Sequence, residues 1–319
     1  MAEALDIDEL RAHALTTIGL GKANLGNRAG IDDYERALKI ALAINSPQVG
    51  TIINNIAVSD FFAFDFVRTD ELFEEGQGLA ERFGDAAGVR WLRAQRAGMA
   101  FMRGRWDDGL RQLDDFIAEC ERGSPHYLEG RCHSDRAGIR EGRGDLEGAL
   151  ADYERSLALA RPAGDPQALL PLLASAVAAF ETHGRLDAAR LLAQELVDLA
   201  REHPFEAAIG LAFDFAYTRL ATEFDRELRE ALDRAPPWPW KEVAVACLDY
   251  DFVLAADMWA RGGSPTFEAR LRLRAAEELI EKGRRAEGEV ELEKALTFYR
   301  SVGATFFLER GEQLFAKSA

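Results

Sequence analysis

Three glycines stand 40 residues apart, at Gly104, Gly144 and Gly184, and each opens a segment of the same design. The segments read GRWDDGLRQLDDFIAEC, GDLEGALADYERSLALA and GRLDAARLLAQELVDLA, and a fourth, GRRAEGEVELEKALTFY, begins at Gly283. Their sixth residue is small (Gly109, Ala149, Ala189, Gly288). Their tenth (Leu113, Tyr153, Ala193, Leu292) falls on the same side one turn later, which is helical periodicity. Such a glycine ends one helix in a left-handed cap, a polar residue starts the next, and the small residue lets two backbones approach closely. The product is a helical hairpin. A hairpin repeated at this period cannot bury its apolar face alone and must stack on its neighbours as a solenoid.

Weaker copies extend the array: LGNRAGIDDYERALKIALAI from Leu25, FDFVRTDELFEEGQGLAERFGD from Phe64 and DFVLAADMWARGG from Asp251. The expected fold is all-α, a right-handed superhelical solenoid of antiparallel helix pairs, about eight pairs plus a C-terminal capping helix. Residues 1–203 read as regular repeats one to five, 204–264 as irregular pairs, and 265–319 as the last repeat and cap, within one continuous solenoid. The irregular stretch holds APPWPW at Ala235–Trp240, whose prolines break helical rhythm. The cap, from Thr305 to Lys317, sets Phe306, Phe307, Leu314 and Phe315 on a helix with no hairpin after it.

Charge narrows the partners. Thirty-nine basic against fifty-five acidic residues leave a net charge of −16, so nucleic acid and anionic membrane surfaces are repelled at long range. The opening MAEALDIDEL has neither the basic region nor the apolar run of a signal peptide, and no stretch is apolar enough to span a membrane, so a cytoplasmic protein is expected. Cys120, Cys132 and Cys247 are odd in number and lie in helical apolar patterns, as reduced structural cysteines do.

The run from Gly144 to Leu157, with the small-residue positions above, resembles the tetratricopeptide repeat family. The period is similar to the longer-helix variants that sit behind nucleotide-binding switches in large signalling proteins. More narrowly, LRAHALTTIG (Leu10–Gly19), FIAECERGSPHYLEG (Phe116–Gly130) and ALTFYRSVGATFFLERGEQL (Ala295–Leu314) resemble the C-terminal repeat region of actinobacterial multidomain proteins. Those proteins carry a class III adenylate or guanylate cyclase domain, then an AAA-type ATPase, then repeats. The resemblance implies a regulatory arm with no catalytic residue of its own, whose partner is a protein or peptide, its own cyclase and ATPase domains among the candidates.

Chemistry-bearing motifs are decoys here. TTIGLGKANLG at Thr16–Gly26 has Thr16 where a phosphate loop needs glycine and Ala23 where it needs a magnesium-binding hydroxyl, and its flank has helical periodicity. Cys120, His126, Cys132 and His133 lack the tight spacing of zinc ligands, so one buried thiol and exposed imidazoles are expected, with no metal and no cofactor. Carboxylates such as Glu277, Glu278 and Glu281 intersperse with basic residues and read as solvated faces. No nucleophile stands with a base, so no enzyme is expected.

The candidate sites lie on the first helix of each pair, which lines the concave face of such arrays. Asn54 and Asn55 occupy places where the family uses asparagine to hold a bound peptide backbone, beside Phe61 and Phe62. Arg93, Gln95 and Arg96, then Arg136 and Arg140, belong to a concentration of arginine that also includes Arg90, Arg103, Arg131 and Arg143. Two readings stay open for these arginines: capture of a partner's carboxylates or phosphates, or pairing within the chain with Asp107, Asp108, Asp135 and Glu141. The leading expectation is a non-catalytic module binding a protein segment in the groove of repeats two to four. The alternative is a small-molecule sensor with a cavity near the Phe61 cluster or Trp238, whose ligand alters the curvature of the solenoid.

Overall fold

A computed structural model describes residues 7–24 and 29–316. Part of the repeat copy beginning at Leu25, the last two residues of the Thr16–Gly26 segment and Lys317 of the expected cap lie outside the described residues, as does most of the MAEALDIDEL opening. Among the described residues the chain is all-helical, with seventeen α-helices and two short 3-10 helices. Consecutive helices pack as pairs, so eight pairs and a last helix account for them.

The chain divides into two compact units, Met1–Met99 and Ala100–Ala319. The first holds α1 (Asp8–Asn24), α2 (Gly30–Ala43), α3 (Val49–Phe62), α4 (Phe66–Arg82) and most of α5 (Ala86–Met102). Here α1 and α2 touch backbone to backbone: a Cβ on Gly30 would lie 2.6 Å from the Gly19 carbonyl oxygen. Residues Thr16–Asn24 are part of α1, so their amides serve the helix and offer no phosphate cradle.

The second unit continues with α6 (Trp106–Glu121), α7 (Glu129–Gly142), α8 (Leu146–Ala160), α9 (Pro166–Thr182) and α10 (Leu186–Glu202). Then the helices shorten to ten or eleven residues: α11 (Pro204–Phe213), the 3-10 helices Phe215–Tyr217 and Leu220–Phe224, α12 (Asp225–Arg234), α13 (Pro239–Leu248) and α14 (Phe252–Gly262). Full length returns in α15 (Pro265–Glu281) and α16 (Arg285–Val302), and α17 (Thr305–Ala316) ends the array.

The junctions explain the glycine period. Residues with positive φ recur about every 20 positions, at Asn45, Phe64, Gly84, Gly104, Gly123, Gly144, Gly164 and Gly184, and again at Tyr250, Gly263, Gly283 and Gly303. At Gly144 the geometry is a Schellman cap: Gly144 N–H donates to Glu141 O and Asp145 N–H to Arg140 O. The next helix then starts on Asp145, whose carboxylate accepts from Gly148 N–H. Asn45, Phe64, Gly84, Gly104 and Gly184 end their helices with the same pair of bonds, so the 40-residue repeat is two 20-residue strokes. The small positions do what the sequence suggests. A Cβ on Gly288 would meet Ile280 at 2.8 Å, while Ala149 and Ala189 are fully buried, as are the tenth residues Leu113, Ala193 and Leu292.

Candidate functional site

The arginines of the first helices staple one repeat to the next. Arg96 on α5 donates to Gln77 Oε1 (2.8 Å) and pairs with Glu74, 22 residues earlier on α4. Arg136, its counterpart one repeat on, pairs with Asp114, also 22 residues earlier, on α6. It then goes further, gripping both oxygens of Asp152 on α8 at 2.7 and 2.8 Å. Arg140 and His133 converge on the same carboxylate at 2.8 and 2.7 Å. Burial alone would raise the Asp152 pKa, but His133, Arg136 and Arg140 outweigh it and hold the group below its ordinary value. Of the pairings expected within the chain, Arg143–Asp107 and Arg131–Asp135 form, whereas the acceptor for Arg136 and Arg140 is Asp152.

The remaining candidates are in the first unit. Asn54 and Asn55 are half-buried on α3, and Asn54 Oδ1 is buried without a hydrogen-bond partner. Phe61 and Phe62 are half-buried and pack edge to face, and Phe61 also meets Phe66 at 5.4 Å. Arg93 and Gln95 are half-buried on α5.

Two expectations fail. His133 is buried against Asp152 instead of exposed, and Cys120 and Cys132 are both buried, because α7 places 132 and 133 against different neighbours. Glu277 is also buried: it accepts from Arg310 Nε at 2.7 Å, since α17 folds over that side of α15. Glu281 does lie on the surface. Burial pushes the Cys132 and Cys247 thiols up, which disfavours their thiolate forms.

In the second unit the inner surface is closed by the chain itself. Trp106 Nε1 donates to Thr266 Oγ1 (3.0 Å), Thr266 Oγ1 to Phe101 O (2.6 Å) and Ser264 Oγ to Met102 O (3.0 Å). Arg103 reaches Gly263 O. One repeat later the pattern recurs: Thr305 Oγ1 donates to Arg143 O (3.0 Å) and Arg143 to Val302 O (3.3 Å). The electropositive N-termini of α15 and α17 thus sit on the carbonyl ends of α5 and α7, satisfying groups that a helix end leaves without partners. Glu181, in the last turn of α9, accepts the amides of Arg219 and Leu220 at 2.8 and 2.9 Å.

At the centre of the closure lies Arg270 of α15. It pairs with Asp214, which also accepts from Ser175 Oγ (2.6 Å) and Tyr217 Oη (2.5 Å), and its guanidinium lies over Phe267 and Phe101. Burial disfavours this cation, yet Asp214, the nearby tyrosines and Glu141 reverse the balance and keep it charged. Gly138 is obligatory here, because a Cβ would lie 2.8 Å from the Phe101 ring and 3.1 Å from Arg270. Beside Arg270 is a cavity of about 80 Å³, bounded by α7, α8, α9, α15, α16, α17 and the 3-10 segment. Burial pushes the Tyr153 and Tyr217 hydroxyls on its wall well above their ordinary pKa. Trp238 packs edge to face on Phe205 at 4.3 Å.

The cavity escaped sequence reading because its walls come from segments far apart in the chain. Glu141, Tyr153, Glu277 and Phe307 each stand out in the sequence for a different reason, and nothing there brings them together. Among the described residues no three His, Cys, Asp or Glu side chains gather as metal ligands, and no helix is long and apolar enough to cross a membrane. No protein-family model matches the chain, and no curated protein matches it in sequence.

Proposed function

We propose that the chain is a non-catalytic protein-interaction and regulatory module, a right-handed superhelical solenoid of the tetratricopeptide kind. It binds a protein segment or a domain of its own longer signalling polypeptide through the unit Met1–Met99. The resemblance of its repeats to those behind cyclase and ATPase domains supports the kind of partner. The charge of −16 favours a protein partner over nucleic acid or an anionic membrane, and the reading places the module in the cytoplasm.

One observation carries the choice of unit. Exposed large apolar side chains concentrate at its start, with Ile7, Leu10, Ile18 and Leu20 on and beside α1 and Leu42 and Ile44 at the end of α2. Leu10 and Ile18, eight residues apart on α1, share one side of the helix, and exposed apolar side chains on one face mark an interaction surface. Asn54, whose buried oxygen lacks a donor, adds a group suited to a peptide N–H. The arginine clusters, bound to carboxylates of their own chain, act as structural staples in this reading.

The test is a randomised peptide display selection on the full chain, followed by anisotropy measurements with the enriched peptides. Leu10→Asp/Ile18→Asp and Asn54→Ala/Asn55→Ala should each weaken binding about tenfold or more while helicity is unchanged, as expected for contacts of 1–2 kcal/mol. Failure to enrich any peptide, or binding by either variant as tight as that of the unsubstituted chain, rejects the reading.

A further inference from the structure

We infer that the cavity beside Arg270 is a binding site for a small organic carboxylate, which docks its anionic head between Arg274 and Tyr299 and its carbon skeleton against Phe307 and Leu273. The inference is independent of the docking surface proposed for the first unit, since every residue involved belongs to the second.

Most polar groups of the wall already have partners within the chain. Its carboxylates have donors: Glu141 holds His183 at 2.9 Å, Glu181 two backbone amides, and Glu277 Arg310. Asp214, just behind, is held by Arg270, Ser175 and Tyr217. Two buried atoms on the same wall make no hydrogen bond, Arg274 Nη1 and Tyr299 Oη, and both can donate. Arg274 is otherwise fixed: its Nε donates to Tyr217 O (3.3 Å) and Nη2 to Glu278 (3.2 Å), so Nη1 is held in place with only a 3.9 Å approach from Glu277. The Tyr299 ring is stacked on Phe307 at 4.9 Å, which fixes the hydroxyl amid the charges of Arg270, Arg310, Glu277 and Glu141. A buried donor without an acceptor is costly, and two of them on one cavity wall ask for an acceptor-rich guest.

Size and lining set the rest. A cavity of about 80 Å³ has room for about half a dozen waters, and so for a guest of comparable heavy-atom count. Phe307, Leu273, Ala178 and Ala179 give it an apolar side that an inorganic oxyanion would not use. Arg219, more exposed than the others and tethered to Glu281 at 3.0 Å, marks the outer edge. The guest touches elements from α7 to α17, so its binding tightens the closure of the whole unit.

The experiment is a thermal-shift and calorimetric titration of the full chain with acetate, propionate, pyruvate, lactate and succinate, and with inorganic phosphate in parallel. At least one carboxylate should raise Tm saturably, as a ligand of the folded state must. Tyr299→Phe keeps the stacked ring and removes the unpartnered hydroxyl. It should weaken that ligand about tenfold with no loss of ligand-free Tm. Arg274→Lys should weaken it at least as much. Phosphate binding without carboxylate binding, no Tm rise with any carboxylate, or unaltered affinity in Tyr299→Phe each overturns the inference.

Discussion

The two units are built from one repeat and treat its inner face in opposite ways. In Ala100–Ala319 the first helices of the pairs end on one another, and charges such as Arg270, Asp214 and Asp152 are buried with full sets of partners. In Met1–Met99 Asn54, Asn55 and Arg96 are half-buried, and apolar side chains of α1 face solvent. Arg96 and Arg136 state the difference in one residue. Both bridge back 22 residues to a carboxylate, but only Arg136 also finds a buried partner ahead of it. A repeat with the same helices can therefore be a surface for others or a wall for itself, depending on whether later repeats return to it.

If that contrast is sound, the largest effect belongs to the centre of the closure. Arg270→Met strands Asp214 as a buried charge and should cost about 3–5 kcal/mol in urea unfolding. A loss below about 1 kcal/mol would mean that the closure does not depend on this pair. Next comes Asp152→Asn, which leaves His133, Arg136 and Arg140 facing a neutral group and should cost about 2–3 kcal/mol at pH 7. Because Asp152 has a lower pKa folded than unfolded, its contribution is complete above the unfolded value of about 3.9 and disappears as the pH falls through the folded one. The wild-type and Asp152→Asn stabilities should therefore converge on acidification below about pH 4; a gap that stays constant would remove Asp152 as the cause.

Glycine gives a smaller and signed comparison. A Cβ on Gly142 would lie 2.7 Å from the buried Trp106 ring, whereas one on Gly78 of α4 meets nothing within 4 Å. Gly142→Ala should destabilise by about 1–2 kcal/mol through overpacking. Gly78→Ala should stabilise by about 0.5–1 kcal/mol through helix propensity. Equal signs in thermal unfolding would contradict a tight second unit beside a looser face in α4.

How far the sequence could foresee this is itself physical. The pairs were legible because their punctuation is local: a left-handed cap, a helix start, a small residue five positions on. Half-strokes were hidden where the cap is Asn45, Phe64 or Tyr250, residues that carry no glycine signal. The closure was illegible, since Trp106 and Thr266 are 160 residues apart and neither is unusual where it stands. The arginine cluster was visible as a concentration, but its main acceptor, Asp152, lies on the outgoing helix of the same hairpin, and finding it needs the hairpin's register. The cavity needed six helices in place before its walls came together.

The least effect is expected where the two units are most alike. Arg96 is partly exposed and Glu74 largely so, with side-chain exposures of 30% and 73%. A pair in water gains little over its solvated parts, so Arg96→Ala should cost no more than about 1 kcal/mol. The same substitution at Arg136 removes two ligands from a buried carboxylate and should cost at least about 2 kcal/mol. Chemical denaturation of the two single variants measures the ratio directly. Similar losses would show that a buried acceptor adds nothing to the shared 22-residue staple, and would dissolve the distinction between the open repeat and the closed one at the position where it is sharpest.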